Sequence, residues 1–264
     1  VNPAVALPWR SALALSAASA LGVVAFCWPL LLHHGRGADG HEADAPLVVA
    51  LLLVLLVAVA LAEVLDGGLD AKALALLAVF AAVGSVLRLL AAGIAVTEGF
   101  TFFLMVPAAW VFGRGFGFLL GSLTLFSSAL LTVGFGPWLP FQMIAAGWFG
   151  FLAGSLPGRS TLRGRWELWW LAAYGVLGSL IYGLVMDLSF WPFRFGFGDT
   201  QLSYSPDAPL AENLSRFWTY HLTTGLGWDL LRGIGTALCL LAAGRPLIAA
   251  LRRAARRGSF GLGA

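Results

Sequence analysis

No charged residue occurs between Arg114 and Arg159, a run of 44 residues. An α-helix rises about 1.5 Å per residue, and the hydrocarbon layer of a bilayer is about 30 Å thick. The run is therefore long enough for two crossings. Gly134-Phe135-Gly136-Pro137 divides it near the middle, as a turn between two helices would. The remainder of the chain has the same character. Of its 264 residues 59% are apolar and 11% are charged, against about 25% charged in soluble proteins. Too little charge is present to cover a soluble surface, and so apolar a chain does not stay disordered. Two cysteines, Cys27 and Cys239, exclude a disulfide scaffold. Long unbroken apolar runs, rather than alternation in units of about ten, exclude a membrane barrel. The fold class is all-α and polytopic.

Eight segments read as spanning candidates: 11–32, 45–65, 73–96, 99–113, 115–134, 137–157, 167–187 and 217–244. The fourth is short and contains Pro107, which points to a tilted, broken or partial crossing. The first has no A-x-A-like cleavage site and is read as retained. Residues 1–65 then form two leading transmembrane helices, residues 72–255 a six-helix core, and residues 256–264 a basic tail.

Orientation follows the cations in the connections. With the N-terminus inside, eleven fall on the inner side: Arg10, Lys72, Arg114, Arg159, Arg163, Arg165 and five from Arg245 to Arg257. Arg36, Arg194 and Arg216 fall on the outer side. Both termini are thus expected in the cytoplasm of a multi-pass cell-membrane protein. The tail arginines read as an anchor beside anionic lipid rather than a nucleic-acid contact.

Several polar groups stand out. The outer connection 33–44 carries His33, His34, Asp39, His41, Glu42 and Asp44. It could ligate zinc, nickel or cobalt, but it lacks helical spacing and reads as a solvated loop, so no metal site is expected. Arg88, within the third segment, either snorkels outward or serves a polar site. Asp229 and Arg232, three apart on one helical face, pair with each other or line a cavity. His221 and Trp228 lie nearer the outer end of the same segment. The aromatic outer connection 188–215, with Trp191 and Phe193, reads as a lid over an apolar ligand. Ala71, Ala75, Ala78 and Ala82 make a smooth stripe suited to helix docking or internal packing. No G-x-S-x-G, H-E-x-x-H or Walker loop and no paired intramembrane Asp is found. No enzymatic activity and no cofactor are expected in this chain.

Gly136-Pro137-Trp138-Leu139-Pro140-Phe141-Gln142-Met143, followed by Gly147, Gly150 and Leu156-Pro157, resembles the substrate-binding S component of energy-coupling factor (ECF) vitamin transporters, closest to the cobalamin-type branch. Gly113-x-Gly115-x-Gly117-Phe118 with Gly121 looks like the family's turn and following helix. Tyr174-Gly175, Tyr182-Gly183 and Met186-Asp187 look like its fifth core helix. The resemblance covers residues 72–255. Leu139 and Asp187 stand where the family more often carries Thr and Asn. The resemblance implies capture of a vitamin, perhaps a corrinoid, at the outer face. It also implies docking on a transmembrane coupling protein with two ATP-binding subunits, which use the ATP, and toppling to release the ligand inside. The alanine stripe lies where the family keeps its docking motif. Arg88, Thr97, Glu98, Trp138, Gln142, Trp191, Phe193, His221 and Asp229 are the candidate substrate-binding residues. Trp138 offers a stacking surface, and Gln142 offers both a donor and an acceptor. Two other readings remain: an intramembrane enzyme using Glu98, His221 and Asp229 as acid–base groups, and a structural membrane protein without a small ligand.

Overall fold

The computed structural model describes residues 8–31, 39–65, 71–91, 93–193, 201–205 and 208–258. The helices are α1 (Trp9–Leu31), α2 (Asp39–Leu65), α3 (Ala71–Leu90), α4 (Ala95–Phe112), α5 (Arg114–Thr132), α6 (Leu139–Ser155), α7 (Arg165–Phe190), α8 (Leu210–Tyr220) and α9 (Leu226–Gly258). A short 3₁₀ turn, Trp191–Phe193, follows α7, and a π-helical turn, His221–Gly225, joins α8 to α9. No strand occurs among the described residues. The chain is an all-α polytopic membrane protein.

Six stretches are long and apolar enough to cross a bilayer: Trp9–Cys27, Ala71–Leu90, Ala95–Phe112, Arg114–Thr132, Arg165–Phe190 and Leu210–Arg257. The apolar part of α2, Pro46–Ala62, is shorter. So is α6, whose 17 residues lie at the lower limit for a crossing. Each of the eight expected segments is a helix, but the boundaries differ. The third stops at Leu90 instead of 96, and the chain reverses before α4 starts at Ala95. The last is part of a nearly continuous helical rod of 48 residues, about 72 Å long at 1.5 Å per residue. That length is more than twice the hydrocarbon thickness of a bilayer. Arg256 and Arg257 belong to its last turn, rather than to a separate tail. The expected outer connections are shorter than 33–44 and 188–215, because α2 starts at Asp39 and the second connection is helical at both ends.

The fourth segment, expected to be the irregular one, is the centre of the bundle. α4 packs against α3, α5, α6, α7 and α9. Val106, Ala108, Ala109, Trp110 and Phe112 have no exposed surface, and the helix passes Pro107 without a break. A proline removes one backbone hydrogen bond, a loss that surrounding helices make tolerable within a membrane. A single residue, Gly113, with φ of 113°, turns the chain from α4 into α5. The glycine pattern of α5 and α6 has a steric cause. A Cβ on Gly117 would lie 2.3 Å from the Gly150 carbonyl oxygen, and one on Gly150 would lie 2.0 Å from that of Gly117. Backbone-to-backbone contact of this kind holds helices together where lipid supplies no hydrophobic drive.

α1 and α2 pack on each other and on α6 from outside the core. Trp148 Nε1 donates to Ser19 Oγ at 3.0 Å, and Phe26 meets Phe141 edge-on at 5.0 Å. Exposed Leu47, Val54, Val57, Val79, Val83 and Val86 give the exterior the apolar surface that lipid requires.

Candidate functional site

A cavity of about 190 Å³ opens near the end of the bundle that carries the α3–α4, α5–α6 and α7–α8 connections. All six core helices contribute to it. Arg88 comes from α3, Glu98, Thr101 and Phe102 from α4, Leu125 from α5 and Gln142 from α6. α7 supplies Tyr182, Met186, Asp187 and Phe190, and α9 supplies Arg232. A larger groove of about 560 Å³ lies at the other end, between α7 and α9. It is a basic surface cleft that includes Arg245, Arg252, Arg253 and Arg256. The smaller cavity combines aromatic walls with convergent polar groups.

Its charges are organised around Arg232, whose side chain is 7% exposed. Arg232 Nε donates to Glu98 Oε2 at 3.0 Å, and its terminal nitrogen donates to Asp229 Oδ1 at 2.7 Å. Trp228 Nε1 donates to the same Glu98 oxygen at 2.9 Å. The guanidinium also lies 5.1 Å from the Tyr182 ring centre and 5.8 Å from that of Phe102. A buried cation is tolerable only when paired and hydrogen-bonded, and here two carboxylates and two rings surround it. Arg88 is different. Its terminal nitrogen donates to Ser128 Oγ at 2.9 Å, and no carboxylate pairs with it among the described residues. One guanidinium on the wall is thus left with unused donors.

A second group adjoins the first. His221 Nδ1 and Asp187 Oδ2 share a hydrogen bond of 2.7 Å. The Asp229 carboxylate faces them, so that one donor atom from each of Asp187, His221 and Asp229 lies within 4.8 Å of the others. The carboxylates fit because two glycines leave room. A Cβ on Gly183 would stand 1.9 Å from the Asp229 carboxylate, and one on Gly225 would stand 1.9 Å from Asp187 Oδ2. Gly225 ends the π-helical turn that starts at His221. Such single-turn bulges widen a helix by one residue and recur at functional sites.

The candidate binding residues divide accordingly. Arg88, Glu98 and Gln142 line the cavity, and His221 and Asp229 stand directly behind Asp187. Thr97 does not reach it, because its hydroxyl donates to the carbonyls of Ala91 and Ile94 at the start of α4. Trp138 does not either. It is 41% exposed, and its ring folds over Gly136, where a Cβ would meet it at 2.4 Å. Trp191 does not line the cavity either. It is buried, its Nε1 donates to the Leu202 carbonyl at 2.7 Å, and it packs with Tyr204 and Phe217 at 5.4 and 5.5 Å. The Phe193 side chain and Phe195 and Phe197 lie outside the described residues, as do His33 and His34 and the side chains of His41 and Glu42.

Sequence reading did not single out Thr101, Phe102, Tyr182 or Met186 as wall residues; Asp187 stood out as a departure from the family pattern at the outer pocket, and Phe190 belonged to the aromatic connection. One signal was available: Tyr182, Met186 and Phe190 recur every four residues and so share a face of α7. The pairing of Asp187 with Asp229 carried no such signal. They are 42 positions apart on separate helices, and a search for paired acids within one segment does not find them.

A cavity with charged, polar and aromatic walls, lined by all six core helices of an apolar bundle, is the feature of this membrane protein best suited to a small molecule. Residues 72–243 match the family model described as ECF transporter, substrate-specific component, and the chain belongs to that family. The match starts at α3, covers every residue of the cavity wall and excludes α1 and α2. No curated protein and no solved structure matches the chain. Membership makes this chain the substrate-specific part of a transporter, and it implies docking on a coupling protein with ATPases.

Proposed function

We propose that this chain captures a small vitamin-like molecule bearing an anionic group and a ring system at the outer face of the cell membrane, with both termini in the cytoplasm. It then hands the molecule to a transmembrane coupling protein driven by two ATP-binding subunits. The observation that carries the ligand class is Arg88, a cavity cation without a carboxylate partner among the described residues. A guanidinium with free donors suits a carboxylate or phosphate, while Phe102, Tyr182 and Phe190 offer faces and edges to a ring and Gln142 offers both donor and acceptor. The size supports a small vitamin. Pockets for drug-sized ligands measure roughly 300–1,000 Å³, and a complete corrinoid, the ligand suggested by the Gly136–Met143 string, is far too large for about 190 Å³ unless the surrounding helices part.

The docking surface is proposed on α3. Ala71, Ala75, Ala78 and Ala82 are all exposed, so the stripe is free to meet a partner helix. Leu in place of Ala75 and Ala78 should spare ligand binding and stop uptake by the assembled transporter, and normal uptake would remove the stripe from the docking surface.

The test of the ligand class is native mass spectrometry with a visible absorption spectrum on protein purified gently in detergent from a vitamin-replete host. A small anionic vitamin co-purifying with the wild type and absent from Arg88→Gln would carry the proposal. A bound corrinoid, or a ligand retained by Arg88→Gln, would overturn the assigned ligand class. Failure of every vitamin to bind in titration would overturn the capture function itself.

A further inference from the structure

We infer that Asp187, His221 and Asp229 form a binding site for a divalent first-row transition-metal ion between α7 and the π-helical turn. The site borders the cavity through Asp187, but it does not depend on which molecule the cavity accepts. Three observations carry it.

The first is the donor set. Each residue can present one ligand atom, and the three atoms lie within 4.8 Å of one another. Ligands on a common ion are separated by about 3–4 Å when metal–ligand bonds are about 2.0–2.2 Å, so small side-chain adjustments suffice. One imidazole nitrogen and two carboxylates suit zinc, cobalt, manganese or iron better than a soft, thiolate-seeking ion.

The second is an unsatisfied atom. The Asp229 side chain is 4% exposed. Its Oδ1 accepts from Arg232, whereas its Oδ2 is buried without a hydrogen-bond partner. A buried carboxylate oxygen left without a partner keeps its desolvation penalty uncompensated. A cation bound there would remove the penalty, and Arg232 on the other oxygen would orient the ligand as outer-shell donors do in metal sites. The charge count agrees. Glu98, Asp187 and Asp229 face Arg88 and Arg232, which leaves one excess negative charge while His221 is neutral.

The third is the room made for the ligands. Gly183 and Gly225 are the two positions at which a single methyl group would collide with the Asp229 and Asp187 carboxylates. The π-turn that supplies His221 also supplies Gly225. Two helices are thus relieved of side-chain bulk at the points where the donors converge.

Metal binding replaces the proton now shared by His221 Nδ1 and Asp187 Oδ2. With His221 neutral, as in the charge count, that proton moves to Nε2, so that a neutral imidazole coordinates through Nδ1 beside the ionised Asp187 carboxylate. Three protein donors leave further coordination positions for water or for a group on the transported molecule.

The experiment uses the full chain in detergent, purified without a polyhistidine tag and stripped with chelator. Equilibrium dialysis against Zn²⁺ should give one equivalent per chain, and Co²⁺ should give visible ligand-field bands of a nitrogen–oxygen site. His221→Gln and Asp229→Asn should each weaken Zn²⁺ binding at least tenfold. Gly183→Ala, which removes no ligand, should weaken it too by displacing Asp229. Glu98→Gln deletes a nearby charge without touching the donor set and should change the affinity less than threefold. Absence of a stoichiometric ion in the wild type overturns the site, and this outcome needs no variant to fold. Equal loss in Glu98→Gln and Asp229→Asn would also overturn it, since bulk negative charge would then explain the uptake. Arg88→Gln should keep the metal, so failure of the anion-binding proposal and failure of this one give different results.

Discussion

The two ends of the core each bury a carboxylate against an arginine of the last helix, and they finish it differently. At the arginine-rich end, called inner after the orientation expected from the charge pattern, Glu167 is 3% exposed. Arg252 donates to both of its oxygens, at 2.5 and 3.1 Å, and the Trp110 indole adds a third bond at 2.6 Å. Arg159 lies 5.3 Å over the same indole. At the outer end, Asp229 is 2% exposed, but one oxygen is bonded and the other is not. A cavity opens beside it, and Arg88 lacks an acidic partner among the described residues. The inner Glu167 cluster locks α4, α7 and α9 together. The outer cluster holds the same helices with groups still to be satisfied, which is what a binding site within a membrane requires. Equal burial of charge therefore does not mean equal purpose, and the tally of hydrogen bonds separates a lock from a site.

This contrast can be broken by substitution, and the largest effect should come from the shared cation of the outer end. Arg232→Met leaves Glu98 and Asp229 without their counter-ion, and breaking a buried pair costs about 3–5 kcal/mol. Thermal unfolding in detergent should show that loss together with loss of ligand binding. Retention of both would mean that the outer network is not held by Arg232. At the inner end, Glu167→Ala should cost about 2–3 kcal/mol, because the Trp110 indole loses its acceptor while Arg252, 28% exposed, can turn to water or headgroups. The ligand affinity of that variant should match the wild type in titration. A matching fall in affinity would show that the two ends are coupled rather than separate in function.

The smaller effects sharpen the outer end. Arg88→Gln should lower affinity for an anionic vitamin about tenfold, equivalent to about 1.4 kcal/mol. Its unfolding temperature should stay close to that of the wild type, since Arg88 makes no ion pair among the described residues. A large drop in stability with no change in affinity would make Arg88 a structural residue. Trp138→Ala should change affinity less than about twofold, because the indole rests on Gly136 outside the cavity, whereas Gln142→Ala should weaken binding measurably. Isothermal titration of the two variants side by side checks the ranking, and the reverse order would move the site toward the α5–α6 turn.

Much of this could be read from the chain before any fold was known. Hydropathy and the absence of charge between Arg114 and Arg159 fixed an all-helical membrane protein, because only helices and closed barrels satisfy backbone polar groups in lipid. Eight segments and the break at Gly134–Pro137 had local signatures, and the turn at Gly113 came with the family resemblance. The Asp229–Arg232 pair did too, since three residues along a helix keep one face. The fourth segment was misjudged for a physical reason: shortness and a proline weaken a lipid-facing helix, but α4 is wrapped by five others and faces almost no lipid.

What the tertiary structure decided is which polar groups converge. Arg88, Glu98, Gln142, Asp187 and Arg232 come from five helices, and nothing local brings Asp187 to Asp229 or Glu167 to Arg252. The same is true of the negative results, for Trp138 and Trp191 look like ligand-facing aromatics in sequence and are spent on a turn and a small core. A sequence prescribes where each helix carries its polar residues, because helical periodicity is a local property. Which of those residues meet, and which atom among them is left without a partner, depends on how the helices rotate and pack, and that is settled only when backbone contact between distant segments is made.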